Sequence, residues 1–160
     1  MATSNFPQNQ ASYAIDVIPS DSINIPQPYD VASGTNTAVS ANELEDGGAD
    51  FILANITSGD TVYNITDGTV ANVTSRISKT VLKLSANIFT ATPKIYVIYR
   101  GNSQPNSFLL YVGTGGDLSI ETSASKPVLL KNVANASFIP INVGRVNASN
   151  TTASDIIALL

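Results

Sequence analysis

The sequence predicts an all-β protein, an antiparallel β-sandwich or barrel with a second small β module inserted into it. Short apolar segments rich in β-branched residues recur roughly every ten residues, and breaks rich in Gly, Pro or Asn separate them. No amphipathic helix of ordinary length can be drawn along the chain. The apolar residues are mainly Val, Ile, Leu and Ala, with five Phe, six Tyr, one Met and no Trp, so we expect an aliphatic core.

The first part of the chain predicts one strand between polar segments. Residues 1–12 carry no period and are expected to form an arm, either disordered or ordered by a neighbour. Alternation from Tyr13 to Pro19 predicts a strand. Residues 32–41 are small and polar and are expected to form a loop. A single helical turn is expected at residues 42–46, just before two glycines.

The middle of the chain predicts a run of short strands. Asp67 and Gly68 form a hairpin signal between two of them. Gly101 to Asn106 has loop composition and is a candidate module boundary. The predicted strands of this block cover residues 49–56, 61–66, 69–77, 80–85 and 95–99.

The last part of the chain predicts a second run of strands, over residues 108–112, 117–122, 128–133, 138–146 and 156–160. The segment Gly113–Asp117 has a faint likeness to a phosphate-binding loop. It lacks the Lys-Ser/Thr ending and the following helix, so we predict a glycine hairpin turn with positive φ instead. The predicted organisation is an arm (1–12), a sandwich domain that docks on a capsid (13–41 and 101–160) and an inserted module (42–100).

Charge and composition bound the function. Charged residues make up 12% of the chain, about half the usual share, and this suits a protein held in a fixed assembly. The net charge of -4 includes no basic block, so neither a nucleic-acid partner nor a membrane partner is expected. The start of the chain lacks the regions of a signal peptide, and no apolar run approaches a span of ~20 residues.

The scarcity of catalytic groups predicts a non-enzymatic protein. The chain has no His and no Cys, which removes the commonest general base, metal ligand and nucleophile. The acidic residues Glu43, Glu45, Asp46 and Asp50 lack the spacing of a calcium loop and are expected to be solvated. We therefore predict no catalytic residues, no cofactor and no metal.

Two alternatives remain open at this point. A receptor- or glycan-binding module on a tail or fibre would need exposed aromatic rings, with Tyr96, Tyr99, Tyr111 and Phe108 as the candidates. A glycan-degrading enzyme would need two carboxylates facing each other in a cleft, and no spacing singles out a pair. For the aromatic residues, packing in a core or an interface is the favoured interpretation.

Three stretches near the end of the chain resemble the head-spike base protein family of phages and gene-transfer agents. They are Leu110–Leu118, Ser137–Val146 and Thr151–Leu159, and the early stretch Ile15–Ser22 resembles the opening strand and turn of the family. Residues 60–99 are similar instead to a small β module that recurs in phage virion proteins. The family has no catalytic residues to transfer to this chain.

This resemblance implies a structural protein of a bacteriophage particle, most simply a capsid decoration or cement protein or a head-spike base protein. Such a protein would be made in the bacterial host cytoplasm and reside in the virion. Its partners would be further copies of itself, as a trimer or pentamer, and the major capsid protein or other virion proteins. The candidate interface residues are Ile156, Ile157, Leu159, Leu160, Phe138, Tyr96 and Tyr99.

Overall fold

The computed structural model describes residues 11–101 and 107–160, and within these ranges the chain contains strands and no helix. The all-β, antiparallel prediction is confirmed, with two open six-stranded sheets that do not close into a barrel. The strands in chain order are β1 (Ala14–Asp16), β2 (Asp30–Thr35), β3 (Glu43–Glu45), β4 (Thr61–Asn64), β5 (Thr69–Arg76), β6 (Val81–Leu84), β7 (Ile95–Tyr99), β8 (Phe108–Thr114), β9 (Gly116–Thr122), β10 (Pro127–Val133), β11 (Ser137–Val146) and β12 (Ser154–Leu159).

The first sheet has the order β1-β12-β8-β11-β9-β10 and the second has the order β2-β7-β4-β5-β6-β3. The second sheet therefore begins with β2, so this strand lies with residues 42–100 and not with the sandwich part 13–41 to which the sequence pattern assigned it. Residues 17–29 link the sheets. Along this link the amide of Ile25 donates to the carbonyl of Gly144 in the first sheet, and the amide of Gln27 donates to the carbonyl of Arg100 just after the second.

Strand β4 is the place where the two cores of the protein meet. All four of its residues are buried. A strand with water on one face would bury only every second residue, so β4 is covered on both faces. Val62 packs into a core formed by the second sheet with Phe51 and Phe89. Tyr63 points the other way and joins the core of the first sheet, accompanied by Tyr99. The two sheets are thus held together by side chains from a single short strand and its neighbours.

The first sheet is built on one long bent hairpin. Its first arm is β8 followed by β9, and its second arm is β10 followed by β11. The second half of β11 then folds back to pair with the other side of β9. The turn of this hairpin lies between β9 and β10, where Ser125 adopts a positive φ of 57°.

The predicted hairpin turn at Gly113–Asp117 is wrong, because this segment is the bend between β8 and β9. These two strands do not pair with each other, since β11 lies between them. The glycine at position 115 serves a steric need and not a positive φ. A Cβ atom there would overlap the backbone carbonyl oxygen of Val133 on the opposite arm of the hairpin.

Three further local predictions in the first half of the chain are wrong. Residues 32–41 were expected to be a loop, but Asp30–Thr35 pairs along β7 as an edge strand. The expected helical turn at 42–46 is instead β3, which buries Leu44 by pairing with β6. The expected strand at 49–56 is a series of turns that inserts Phe51 and Ile56 into the core. The predicted Asp67-Gly68 hairpin and the strands on both sides of it are confirmed.

Replacement of Gly115 by Ala tests the bend. We expect the variant to lower the free energy of unfolding by roughly 1–3 kcal/mol, because the backbone must shift to admit a methyl group. Gly47→Ala is the matched control, since its Cβ would lie 3.6 Å from the Thr37 hydroxyl oxygen, an ordinary contact. Urea unfolding of both variants measures the difference. Equal free energies of unfolding for the two variants would show that the bend does not require a glycine at position 115.

Candidate docking surface

The outer face of the first sheet carries a band of exposed apolar side chains. In β8, β11 and β12 the inward residues form the core, and the residues between them point outward. The outward positions at 109–111, 138–140 and 157–159 are themselves apolar, so this part of each strand is apolar on both faces. We call this band the apolar face, and its members are Leu109, Tyr111, Phe138, Pro140, Ile157, Leu159 and Leu160.

Strand register brings the members of the apolar face together in two rows. Ile157 pairs with Tyr111, and Tyr111 pairs with Phe138, so three neighbouring strands each contribute one side chain. The rings of Tyr111 and Phe138 lie 5.2 Å apart between centroids. Leu159 and Leu109 form the second row. Cross-strand neighbours at these positions are in contact distance, so the face is continuous.

The second row opens into a groove of about 600 Å³ at one end of the sheet. Leu109, Phe138, Pro140 and Leu159 form much of its wall, and Ala11 also lines it. Phe138 is 67% exposed, and Leu109 is 44% exposed. Exposed apolar side chains that are contiguous, in contrast to single ones, mark interaction sites on soluble proteins.

The sequence-predicted interface residues divide into two groups. Phe138, Ile157, Leu159 and Leu160 all belong to the apolar face. Ile156 does not, because it points inward and is only 4% exposed in the core of the first sheet. Strand β12 also lies between β1 and β8. Deleting this strand would therefore disrupt the first sheet as well as the apolar face.

Neither Tyr96 nor Tyr99 belongs to the apolar face. Tyr96 is fully buried in the core of the second sheet. Its hydroxyl donates a hydrogen bond of 2.7 Å to the Asp46 carboxylate, and burial raises the pKa of Tyr96 far above its ordinary value. Gly34 leaves room for this pair, since a Cβ there would lie 2.7 Å from the tyrosine oxygen. Tyr99 packs on Tyr63 between the sheets, with ring centroids 5.2 Å apart.

The four candidate aromatic side chains therefore do not come together in the exposed cluster that a glycan platform would need. Phe108 is fully buried, and Tyr111 is separated from Tyr96 and Tyr99 because it lies on the outer face of the other sheet. Of the four candidates, only Tyr111 contributes to the apolar face, where its neighbours are aliphatic and aromatic side chains of β11 and β12.

The acidic residues of the 43–50 segment are each engaged separately. Glu43 pairs with Lys83 at 3.2 Å, and the Asp50 carboxylate accepts from the amide of Leu53 at 2.9 Å. Asp46 accepts from the amide of Gly48 as well as from Tyr96. Across residues 11–101 and 107–160, no three acidic side chains come together in a group that could hold a metal ion.

Asp60 is the most deeply buried carboxylate that pairs with a cation. It is 2% exposed, and Arg100 lies 2.9 Å from it. The amides of Thr57 and Gly101 also donate to it, at 2.9 and 3.0 Å. These contacts fix the end of β7 against the turn before β4. A buried carboxylate that accepts hydrogen bonds from several donors has its polar atoms satisfied, which indicates a structural role for Asp60.

Leu109, Tyr111 and Pro140 were not among the sequence-predicted interface residues. A signal for two of them was present, because Phe108–Val112 is apolar at every position and a strand exposed on one face should alternate. Residues 156–160 are also apolar at every position, and this pattern is what predicted an interface at β12, the strand that pairs with β8. Only the register of β8 against β11 and β12 shows that these residues share one face.

Comparisons of this chain with protein-family models, with curated proteins and with solved structures gave no significant match. In the part of the chain that the structure describes, no helix has the length and apolar character needed to cross a membrane.

Acid below about pH 4 should weaken the folded state through the surface carboxylates Asp117 and Asp67. A hydrogen bond from Lys131 holds the pKa of Asp117 below its usual 3.8, and one from Lys94 does the same for Asp67. A lowered folded pKa gives stability that is complete above about pH 4 and is lost as the pH falls through the folded pKa.

We therefore expect the urea concentration at the unfolding midpoint to decrease as the pH falls below about 4. Lys131→Met removes the main cause of the Asp117 shift and should make this decrease shallower. The measurement is the unfolding midpoint of both proteins across the acid range. An identical pH dependence would show that the Lys131 contact does not affect the carboxyl group.

Proposed function

We propose that this protein is a structural subunit of a bacteriophage particle, a capsid decoration or cement protein or the base of a head spike. The observation that carries the proposal is the apolar face on the outer side of the first sheet. An exposed, continuous apolar surface is costly for a free subunit and is stabilised when a neighbouring protein covers it.

Composition supports the same proposal. Charged residues make up 12% of the chain, about half the usual share, and so sparse a set of charges suits a protein held in a fixed assembly. Many identical weak contacts add up in a closed assembly, so each subunit needs only a modest apolar patch to be retained. The protein would then act mechanically, by bridging neighbouring shell subunits or by holding a fibre.

The stretches that resemble the head-spike base family also contribute to this face. Leu110–Leu118 covers most of β8, Ser137–Val146 is β11, and Thr151–Leu159 contains β12. These are the three strands whose outward residues form the apolar face. Most members of the apolar face therefore lie in segments that resemble the family, and Leu109 and Leu160 lie just outside those segments.

Purified particles provide the direct test. We expect this chain to be present in the particles at many copies and to give cryo-electron microscopy density on the capsid lattice or at its vertices. Density on the tail alone would contradict the head assignment. Absence of the chain from purified particles would overturn the proposal as a whole.

A pair of serine variants tests the surface. Leu109 and Leu129 are both 44% exposed, but Leu109 lies in the apolar face and Leu129 lies on the edge strand β10. Combining Leu109→Ser with Phe138→Ser should remove on the order of 2 kcal/mol of docking energy, about a thirty-fold loss in affinity. The readout is the amount of protein retained on particles after washing.

The control variant Leu129→Ser, combined with Lys131→Ser on the same edge strand, should be retained like the unmodified protein. Thermal unfolding of all proteins checks that the folds are intact. Equal retention of the apolar-face variant and the control would show that docking uses a different surface.

A further inference from the structure

Strand β10 is an edge of the first sheet whose free side does not present a regular row of backbone groups. It pairs with β9 on one side, and on its other side no strand of the described residues lies next to it. With seven residues it is the longest of the four edge strands that the structure describes. Its side chains alternate between the core and the surface, and the outward Leu129 is 44% exposed. A long apolar edge of this kind can pair with the same strand of another copy.

Proline interrupts the outward row of amides at the start of β10. The Thr122 amide donates to the carbonyl of Lys126 at 2.9 Å, so every second residue from Lys126 onwards directs its backbone groups to β9. The residues between them, beginning with Pro127 and Leu129, direct theirs to the free side. Pro127 has no amide hydrogen, so Leu129 is the first residue of the strand that can donate outwards.

A bulge interrupts the same row two residues later. The register shifts between Leu130 and Val133. Lys131 and Asn132 therefore face the single residue Asp117 across the ladder, and Asn132 has a positive φ of 52°. The Asp117 carboxylate accepts from the Lys131 ammonium at 2.7 Å and from the Asn132 amide at 3.1 Å. One side chain of β9 thus holds both residues of the bulge.

We propose that Pro127 and this bulge keep β10 from pairing with β10 of a second copy of the chain, and that Asp117 holds the bulge in place. A regular strand paired antiparallel about Leu129 would form two backbone hydrogen bonds at each of three residue pairs, 127 with 131, 129 with 129 and 131 with 127. The proline and the bulge leave the two bonds between the Leu129 residues. Each net hydrogen bond changes an association constant by roughly two- to twelve-fold, so the loss of four weakens the pairing by at least about 20-fold.

This inference goes beyond the proposed function, because it concerns a surface that is closed to other copies and requires no particle. Copies held close together in an assembly would otherwise pair through β10 in competition with contacts at the apolar face. The test uses purified protein in which Leu109→Ser and Phe138→Ser are both present. Association through the apolar face then makes no contribution, so the two proposals can fail separately.

Opening the edge tests the proposal. Deleting Asn132 and adding Pro127→Val gives β10 a continuous register and a full outward row of amides, and Lys131 and Val133 keep their faces. Sedimentation velocity over a range of concentrations should give an association constant at least about 20-fold above that of the starting protein, with a dimer as the product. Adding Leu129→Lys should return the starting value, because two like charges would lie directly opposite each other. Unchanged association of the folded open-edge protein, or association that Leu129→Lys does not reverse, would overturn the proposal.

A second variant keeps the full length of the chain. Pro127→Val combined with Asp117→Ala releases the bulge without deleting a residue and should raise the association constant several-fold. The matched control combines Pro127→Val with Asp67→Ala, since Asp67 also lies 2.7 Å from a lysine, Lys94, but belongs to the second sheet. Thermal unfolding checks that each protein is folded. Equal association of the Asp117 and Asp67 variants would show that Asp117 does not keep the edge closed.

Discussion

The burial of β4 on both faces is the constraint on which the rest of the structure depends. Neighbouring residues of a strand point to opposite sides, so Val62 and Tyr63 enter different cores. A shift in register by one residue would exchange them and would also move Asn64 out of its site. There, the Asn64 side chain donates to the carbonyl of Ile88 at 2.7 Å and to the Asp67 carboxylate at 2.9 Å. The register of the second sheet and its contact with the first are therefore fixed together.

The same arrangement explains why the apolar face of the first sheet remains exposed. The inner side of the second sheet packs on the first through Tyr63, Val70 and Tyr99, and its outer side is covered by turns that carry Phe51 and Phe89. The first sheet uses its inner side for the shared core. Its outer side has no comparable covering segment among the described residues, and the outward residues of β8, β11 and β12 remain exposed there.

Strands with strict alternation and strong turn signals could be predicted from the sequence. Residues 81–84 alternate in burial, and the Asp67-Gly68 turn joins β4 to β5. The strands β2 and β3 could not be predicted, because Asp30–Thr35 and Glu43–Glu45 are polar edge strands defined by backbone pairing and not by an apolar pattern. The turns at 49–56 are apolar for a different reason, since they cover a sheet.

Four of the seven residues of the apolar face were predicted from the sequence in a similar way. The apolar residues at the end of the chain indicated an interface, but the sequence could not distinguish the inward Ile156 from the outward Ile157. Tyr96 and Tyr99 were placed at the interface because aromatic residues in a strand suit either a core or a surface. The Asp46 hydrogen bond that fixes Tyr96 inside joins residues fifty positions apart and leaves no local signal.

The position of β12 also determines how the molecule would respond to force. The strand lies between two antiparallel neighbours, β1 and β8, and its backbone hydrogen bonds run perpendicular to its length. A pull on Leu160 along the strand axis would load both ladders in shear, so many bonds would have to break at once. A pull across the sheet would instead open one bond after another. The first sheet should therefore be mechanically anisotropic, and strongest along the direction of its last strand.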